Sequence, residues 1–397
     1  MPDEDKLFTR EFLAIDGVIF IAFSSLAIFY GFERFLATLP IAPKWFGLII
    51  GLFALATVII RPVISPFFHP GNAKKWMTYG IVAVIISLLL YQFADNWWTM
   101  SLIRVFHGAG HSVLCSAGTT LIVGFIPEKR SGQAFGIITA LNLVPYGIIP
   151  PLAGMVTGST GGFLRLMDYS AIFALLAFPL VALIRGEAAG GEDRRSDRMK
   201  WPEIADALKG RNVILLQLIC LLVWTAYAPV FFLIDGYAKK IGVMDTGWFF
   251  TASVFTEVIV RLVAGKFFDR ISKVITLAGS AAWLTLGYLA LANCSTAAGL
   301  YSLGAFLGLG WGAAMPVITG LMFDISSSRH RPLLTNFLFV MYQGGFVLGP
   351  VIGAYFLNNQ GYRALYYVCG GLVAIALVLT PFIRTHPKAS EAGQSDA

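Results

Sequence analysis

Charged residues are scarce in this chain. Only 13% of its 397 residues are Asp, Glu, Lys or Arg, and 57% are hydrophobic, whereas a soluble domain carries about 25% charged residues. This composition excludes a soluble globular protein. The apolar residues form about twelve stretches of roughly 20 residues, the length of a helix that spans a bilayer. Helices are expected because a backbone in lipid has to form its hydrogen bonds within its own segment. The predicted spans lie near 12–34, 45–66, 76–94, 98–125, 134–157, 164–185, 212–234, 246–267, 274–292, 297–322, 333–357 and 363–384.

Cysteines are few and a nucleotide-binding loop is missing. The four cysteines, Cys115, Cys220, Cys294 and Cys369, are scattered and lie mostly within apolar stretches, which favours free buried thiols over a disulfide framework. The sequence contains no Gly-x-x-x-x-Gly-Lys-[Ser/Thr] loop for ATP phosphates. We therefore expect no cofactor, and we expect an ion gradient or the substrate's own gradient to supply the energy.

The net charge of +7 is distributed unevenly. Lys and Arg collect in alternate loops, at positions such as Lys74, Lys75, Arg194 and Arg195, while the opposite loops hold few, such as Lys44. This asymmetry follows the positive-inside rule and predicts that both termini are cytoplasmic in a multi-pass protein of the inner (plasma) membrane. The basic excess thus indicates topology, and we expect no nucleic-acid partner.

The two halves of the chain repeat one another at an offset of 200 residues. Residues 61–69, Arg-Pro-Val-Ile-Ser-Pro-Phe-Phe-His, align with residues 261–269, Arg-Leu-Val-Ala-Gly-Lys-Phe-Phe-Asp, and Pro150 aligns with Pro350. Duplicated helix bundles in a bilayer are the usual construction of secondary transporters. The repeat therefore predicts two similar bundles of six helices.

A polar run separates these bundles. We predict an N-terminal bundle in residues 1–185, a cytoplasmic linker in 186–210, a C-terminal bundle in 211–385 and a disordered cytoplasmic tail in 386–397. Within the linker, Trp201, Ile204, Ala205 and Leu208 have helical spacing, which fits an amphipathic helix on the membrane surface. A disordered linker is the alternative.

Several motifs resemble those of the major facilitator superfamily, and the resemblance covers nearly the whole chain. Residues 265–273, Gly-Lys-Phe-Phe-Asp-Arg-Ile-Ser-Lys, are similar to the family's signature loop, which gives Gly265, Asp269 and Arg270 a role in latching helices at the cytoplasmic face. The first half has His69-Pro70 where the family has Asp-Arg, so its latch is expected to be weaker. Residues 104–110 resemble an arginine–glycine motif associated with proton coupling. Residues 345–353 resemble a glycine–proline motif of exporters, which the family normally carries in its fifth helix.

This resemblance implies both a fold and a kind of activity. The implied fold is an all-α integral membrane protein with twelve transmembrane helices in two pseudo-symmetric six-helix bundles. The implied protein is a transporter, not an enzyme, and is of the efflux type. Its two halves would rock around a central cavity, giving alternating access.

Ionisable groups within apolar spans are costly and are candidates for function. On the predicted fourth helix, Arg104, His107 and His111 fall within about 60° of one another. They could bind an anionic group or couple substrate binding to proton transfer. Together with Cys115 the histidines could instead bind a metal, although this helix offers no carboxylate, and a purely structural role is the third alternative.

Acidic and basic residues on three other predicted helices form two further candidate groups. Glu33 and Arg34 lie toward the outer end of the first helix, where they could pair with each other or with Asp235, as an outer gate or as an interface anchor. A Glu33 that faces the cavity would instead be the best proton carrier. Glu257 and Arg261 are spaced to pair with each other, and Arg61 is the repeat partner of Arg261. We assign Arg61, Glu257 and Arg261 to the cytoplasmic gate.

Aromatic and amide residues complete a plausible central cavity, although each alone more often serves in packing. Besides Arg34 and Asp235, the candidates are Tyr30, Asn142, Tyr146, Trp224, Tyr227, Trp311, Asn336, Tyr342 and Gln343.

These observations favour a proton-coupled secondary transporter that exports a small amphipathic or anionic organic compound. Glu33, Arg104, His107 and His111 are the proposed coupling residues, and we expect a monomer whose partners are the substrate, protons and membrane lipids. Two other functions stay open. One is a translocator of an anionic lipid, and the other is a membrane-embedded metal enzyme built on His107, His111 and Cys115.

Overall fold

The described residues fold as a bundle of long helices, and no strand occurs among them. The computed structural model describes residues 8–64, 68, 70–123, 125, 137–157, 162–184, 201–268, 272–327 and 330–384. We label the membrane helices in chain order: α1 Arg10–Leu36, α2 Pro43–Ile64, α3 Pro70–Leu90, α4 Trp97–Val123, α5 Val144–Thr157, α6 Gly162–Leu183, α7 Arg211–Lys240, α8 Gly247–Phe268, α9 Lys273–Ala292, α10 Ala297–Ile325, α11 Arg331–Gln360 and α12 Tyr362–Leu379.

Nine of the helices in this described part are long and apolar enough to cross a bilayer by composition alone. The other three are α4, α5 and α8. Helix α4 contains Arg104 and two histidines, α8 contains Glu257 and Arg261, and the apolar segment around α5 is shorter. Arg104, His107, His111 and Glu257 are buried within the bundle, so α4 and α8 can take transmembrane positions despite their ionisable residues.

The bundle has two ends. Residues Arg10 and Arg384 lie at one end, where Asn212 Nδ2 donates to the Arg384 carbonyl at 2.6 Å, and we call this end the terminal face. The opposite end, which we call the distal face, carries the α1–α2 connection and the start of α8. The charge distribution predicts that the terminal face is cytoplasmic.

The same helix contacts occur in both halves. In the first half, Gly108 of α4 packs on the backbone of Phe53 in α2, where a Cβ would collide with the Phe53 carbonyl. In the second half, Gly308 of α10 packs in the same way on Ser253 of α8. Each residue of the second contact is 200 positions after its counterpart, so the sequence repeat is also a repeat of packing.

The halves meet in two seams that follow the same repeat. At one seam Gly47 of α2 lies against the Pro350 backbone of α11, and at the other Gly247 of α8 lies against Pro150 and Pro151 of α5. Since Gly47 and Gly247 are repeat partners, as are Pro150 and Pro350, an approximate twofold relation exchanges the seams. Both contacts lie near the distal face, and there the two halves are closed against each other.

A third contact between the halves also lies toward the distal face. Helix α7 packs against the distal part of α1, residues 28–36, which includes the 3-10 turn Ile28–Gly31. The linker residues Trp201–Leu208 form a helix, in agreement with their spacing. That this helix lies on the membrane surface stays a prediction.

Candidate transport pathway

Arg104 is almost fully buried within the first half. Its side chain is held by α2, since Nε donates to the Ile49 carbonyl at 3.2 Å and Nη2 donates to the Ile50 carbonyl at 2.8 Å. The guanidinium carbon lies 4.8 Å from the Phe29 ring centre and 5.0 Å from that of Phe53. A third ring, Phe32, lies 4.9 Å away. Among the described residues no carboxylate pairs with this guanidinium. Backbone carbonyl oxygens and the faces of aromatic rings stabilise its positive charge instead.

The second half shows what Arg104 replaces. Its repeat partner is Gly304 of α10, which packs directly on the backbone carbonyl of Phe249 in α8. Phe249 is the repeat partner of Ile49, and the Ile49 carbonyl oxygen is one of the two that accept hydrogen bonds from Arg104. One half therefore brings the two helices together through a glycine, and the other joins them through an arginine. This arrangement indicates that Arg104 holds α4 against α2 through its hydrogen bonds.

His107 and His111 share the buried face of Arg104, as their spacing predicts. His107 Nδ1 lies 3.4 Å from the Tyr91 hydroxyl, and His111 Nε2 lies 3.3 Å from Cys115 Sγ. Both imidazoles pack on Phe53, at ring-centre distances of 5.1 and 5.4 Å. The second nitrogen of each ring is buried without a protein partner among the described residues. Three ligand side chains do not come together in this described region, so it offers no metal cluster.

A polar group near the middle of the interface joins the two halves. Gln343 of α11 donates from Nε2 to Thr57 Oγ1 of α2 at 3.0 Å. In the second half Arg261 Nη2 pairs with Glu257 Oε2 at 3.5 Å, and Ser253 Oγ donates to Glu257 Oε1 at 3.2 Å. The predicted pairing within α8 is therefore present, with Glu257 buried and Arg261 partly buried.

A charged contact between the halves lies near the distal face. Arg34 Nε of α1 forms an ion pair with Asp235 Oδ2 of α7. Asp235 is buried and also accepts a hydrogen bond from Thr246 Oγ1 at 2.9 Å. Glu33 is partly buried and its carboxylate reaches Gly236, the residue after Asp235. Glu33 and Arg34 are therefore both part of the contact between the halves.

Aromatic rings form a layer along the interface that extends toward the distal face. Two ring pairs cross between the halves, Tyr146–Phe231 at 5.3 Å and Tyr30–Phe250 at 5.8 Å. The second half adds a cluster whose closest ring centres are 4.5 to 4.9 Å apart, formed by Trp224, Tyr227, Trp311 and Tyr342. Sequence reasoning named most of this layer. It missed Phe231 and Phe250, because phenylalanine carries no polar atom that separates cavity positions from lipid-facing ones.

Several predicted residues cannot be placed in this pathway. Asp269 and Arg270 lie outside the described residues, and nothing is described of the Asn336 side chain. Gly265 lies on the terminal part of α8. Asn142 is partly buried, and its Oδ1 has no partner in the described region. At the terminal face, Lys273, the last residue of the signature loop, pairs with Asp324 at 2.7 Å, a contact that the sequence did not reveal.

Comparisons with known proteins agree with the fold. The family model described as Major Facilitator Superfamily matches residues 14–243 and again residues 213–397. The chain is 23% identical over 351 residues to "Multidrug resistance protein MdtG" of Proteus mirabilis, covering 84% of each chain. It is also 23% identical over 346 residues to "Multi-drug resistance efflux pump PmrA" of Streptococcus pneumoniae, covering 83% of this chain and 84% of that protein.

Solved structures give the same result. A bacterial homolog of the human lysosomal transporter Spinster, in an inward-facing and occupied conformation, superposes with a TM-score of 0.73 at 13% identity, covering 94% of this chain and 96% of that one. The nucleoside transporter NupG superposes with a TM-score of 0.72 at 14% identity, covering 94% and 99%. Both likenesses concern the fold alone.

The matches confirm the predicted all-α fold of two six-helix bundles. They also exclude the membrane-embedded enzyme that the sequence had left open, because the matching family is one of transporters. With its repeated halves, its paired seams and a family model that matches over nearly its whole length, this chain belongs to the major facilitator superfamily.

Proposed function

We propose that this transporter exports a small amphipathic or anionic organic compound in exchange for protons, by alternating access. The observation that carries the proposal is the pair of glycine–proline seams, Gly47 with Pro350 and Gly247 with Pro150 and Pro151. Two contacts exchanged by a twofold relation can open together when the halves rock. The closed distal face then corresponds to one of the two end states of the transport cycle.

The character of the interface supports an amphipathic substrate. Trp224, Tyr227 and Tyr342 of the second half cluster at this interface, and Tyr146 of the first half contacts Phe231 of the second. Stacking and edge contacts accept many flat organic molecules with little dependence on shape. The names of the relatives, a multidrug resistance protein and an efflux pump, support export.

Glu33 is the best candidate for the proton carrier. It lies beside the Arg34–Asp235 pair, at the contact that must separate when the distal face opens. A carboxylate at that contact can exchange its proton with the distal side whenever the halves part. His107 and His111 are second candidates, since each has a buried nitrogen without a protein partner in the described region.

Proteoliposomes that contain an entrapped pH dye test the coupling. Naphthalenesulfonate is a suitable substrate probe because it is a permanent anion and cannot carry protons by itself. We expect its addition to change the lumenal pH in wild-type vesicles and not in empty ones. The variant Glu33→Gln should move the probe without moving protons, while Asp95→Asn, which changes an exposed carboxylate at the distal face, should behave as wild type.

The outcomes separate the parts of the proposal. A pH response that survives in Glu33→Gln would remove Glu33 from the coupling. Probe transport that is insensitive to an imposed pH gradient would remove proton coupling altogether. Movement of labelled anionic lipid, with no movement of the probe, would favour the lipid translocator.

A further inference from the structure

The two halves differ in charge at one repeat-related position near the interface. In α8, Arg261 is neutralised by Glu257, four residues earlier on the same helix. In α2, the repeat partner of Arg261 is Arg61, and Thr57 takes the place of Glu257. The first half therefore keeps the arginine and lacks its carboxylate.

Arg61 has no other counter-ion in the described part of the chain. No ion pair or hydrogen bond joins it to any residue there, and it is only partly buried. Arg61 follows the buried Thr57 by one helical turn, so both residues lie on the same face of α2. Thr57, one turn away, is already engaged by Gln343 of the other half.

The second half contains buried hydrogen-bond donors that its own carboxylate, Glu257, does not satisfy. Both carboxylate oxygens of Glu257 are occupied, one by Ser253 and one by Arg261. Arg261 Nε and Trp224 Nε1 are buried donors without a partner among the described residues. An anionic group would satisfy such donors and offset the uncompensated charge of Arg61.

Arg104, by contrast, is poorly suited to bind an anion. Three phenyl rings cover its guanidinium, and two of its nitrogens already donate to backbone carbonyls. Its Nη1 has no partner among the described residues, but the side chain is only 1% exposed and is enclosed by this packing. The contacts of Arg104 thus serve mainly to join α4 to α2, and its role in binding an anion stays a prediction.

We propose that Arg61 is the residue that binds the anionic group of the substrate, at the inner side of α2 next to the Thr57–Gln343 contact between the halves. The inference rests on the proposed function in taking a small organic compound as substrate, and it moves the anion site from Arg104 to Arg61. It also assigns the two halves different tasks, since the first contributes the charge and the second most of the aromatic surface.

A matched ligand pair tests the site. Naphthalenesulfonate and its neutral amide, naphthalenesulfonamide, share one ring system and differ in charge. Their affinities for the protein in lipid nanodiscs can be measured by equilibrium dialysis against empty nanodiscs. We expect the anion to bind about tenfold more tightly than the amide, because a charge-assisted hydrogen bond contributes on that scale. Arg61→Gln should remove this preference and leave amide binding unchanged, and Arg61→Lys should retain much of it.

The repeat supplies a second variant that does not remove the arginine. Thr57→Glu gives α2 the carboxylate that α8 already has, so it should neutralise Arg61 and abolish the preference for the anion. Thr57→Gln controls for size and for the altered contact with Gln343. Arg363→Gln, which removes one positive charge at an exposed site, controls for net charge.

Each outcome is decisive. Equal binding of the two ligands by the wild type, or an unchanged preference in Arg61→Gln, would overturn the anion site while the proposed transport of amphipathic compounds survives. Binding of neither ligand would overturn the site and the proposed substrate class together. Loss of the preference in Arg363→Gln or Thr57→Gln would show that the effect does not come from the charge of Arg61.

Discussion

The seam between α2 and α11 makes a sharp prediction about conformational equilibrium. Gly47 packs so closely on α11 that a Cβ would lie 2.8 Å from Ala354 Cβ and 2.9 Å from the Pro350 carbonyl carbon, and it would also strike the Pro350 carbonyl oxygen. Carbon atoms do not approach so closely. Gly47→Ala should therefore push the halves apart at the distal face.

The size of the effect follows from the cost of overpacking. Forcing a methyl group into a packed contact costs about 1–3 kcal/mol. Because the distal-open state lacks this contact, the cost falls on the closed state alone, and the ratio of open to closed should rise about 5- to 150-fold. The repeat partner Gly247, which faces Pro150 and Pro151, should give a similar shift when changed to alanine.

Pulsed electron spin resonance can measure this shift. Spin labels at Lys44 and Asn359, both exposed near the distal face, report on the distance across the seam once the four native cysteines are replaced. Gly47→Ala should move the distance distribution outward by several ångström. Gly279→Ala is the matched control, since nothing lies near a Cβ at that position. An unchanged distribution in both Gly47→Ala and Gly247→Ala would refute the assignment of these seams as the closure.

Three further predictions follow from single contacts. Arg34→Asp should favour opening of the distal face in the same resonance measurement, and the exchange Arg34→Asp with Asp235→Arg should restore closure; failure of the exchange would mean that charge does not hold the contact. Arg104→Lys should lower the unfolding midpoint by several degrees, since an ammonium lacks the planar guanidinium whose nitrogens bind both α2 carbonyls and whose faces pack on three rings; an unchanged midpoint would show that Arg104 does not hold α4 to α2. Gly361→Ala should cost about 1 kcal/mol in stability without affecting transport, because Gly361 has a φ of 84° between α11 and α12, whereas Gly371→Ala should be neutral.

The fold was readable from the sequence for physical reasons. Lipid forces each spanning segment into a helix of nearly fixed length, so apolar stretches alone located the helices. The ends were less certain. Helix α7, for example, was expected to end near residue 234 and continues to Lys240. The offset of 200 residues gave the duplication, and the structure repeats it at Gly108 with Gly308 and at both seams.

Local spacing also predicted some contacts of the site. Glu257 and Arg261 pair because residues four apart share one face of a helix. Arg104, His107 and His111 share a buried face for the same reason. Such relations within one helix need no knowledge of its neighbours.

Contacts between helices depended on the tertiary structure. The sequence marks Arg104 as unusual, but only the position of α2 reveals that two carbonyls and three rings hold it. The sequence likewise contains Arg61 without a carboxylate one turn away, and only the packing shows that no other described helix supplies one. The bilayer and the helical period therefore determined where the helices are and which residues share a face. The periodicity does not encode how each helix is rotated against its neighbours. That rotation decided which charged side chains are bound by other helices and which remain available to a ligand.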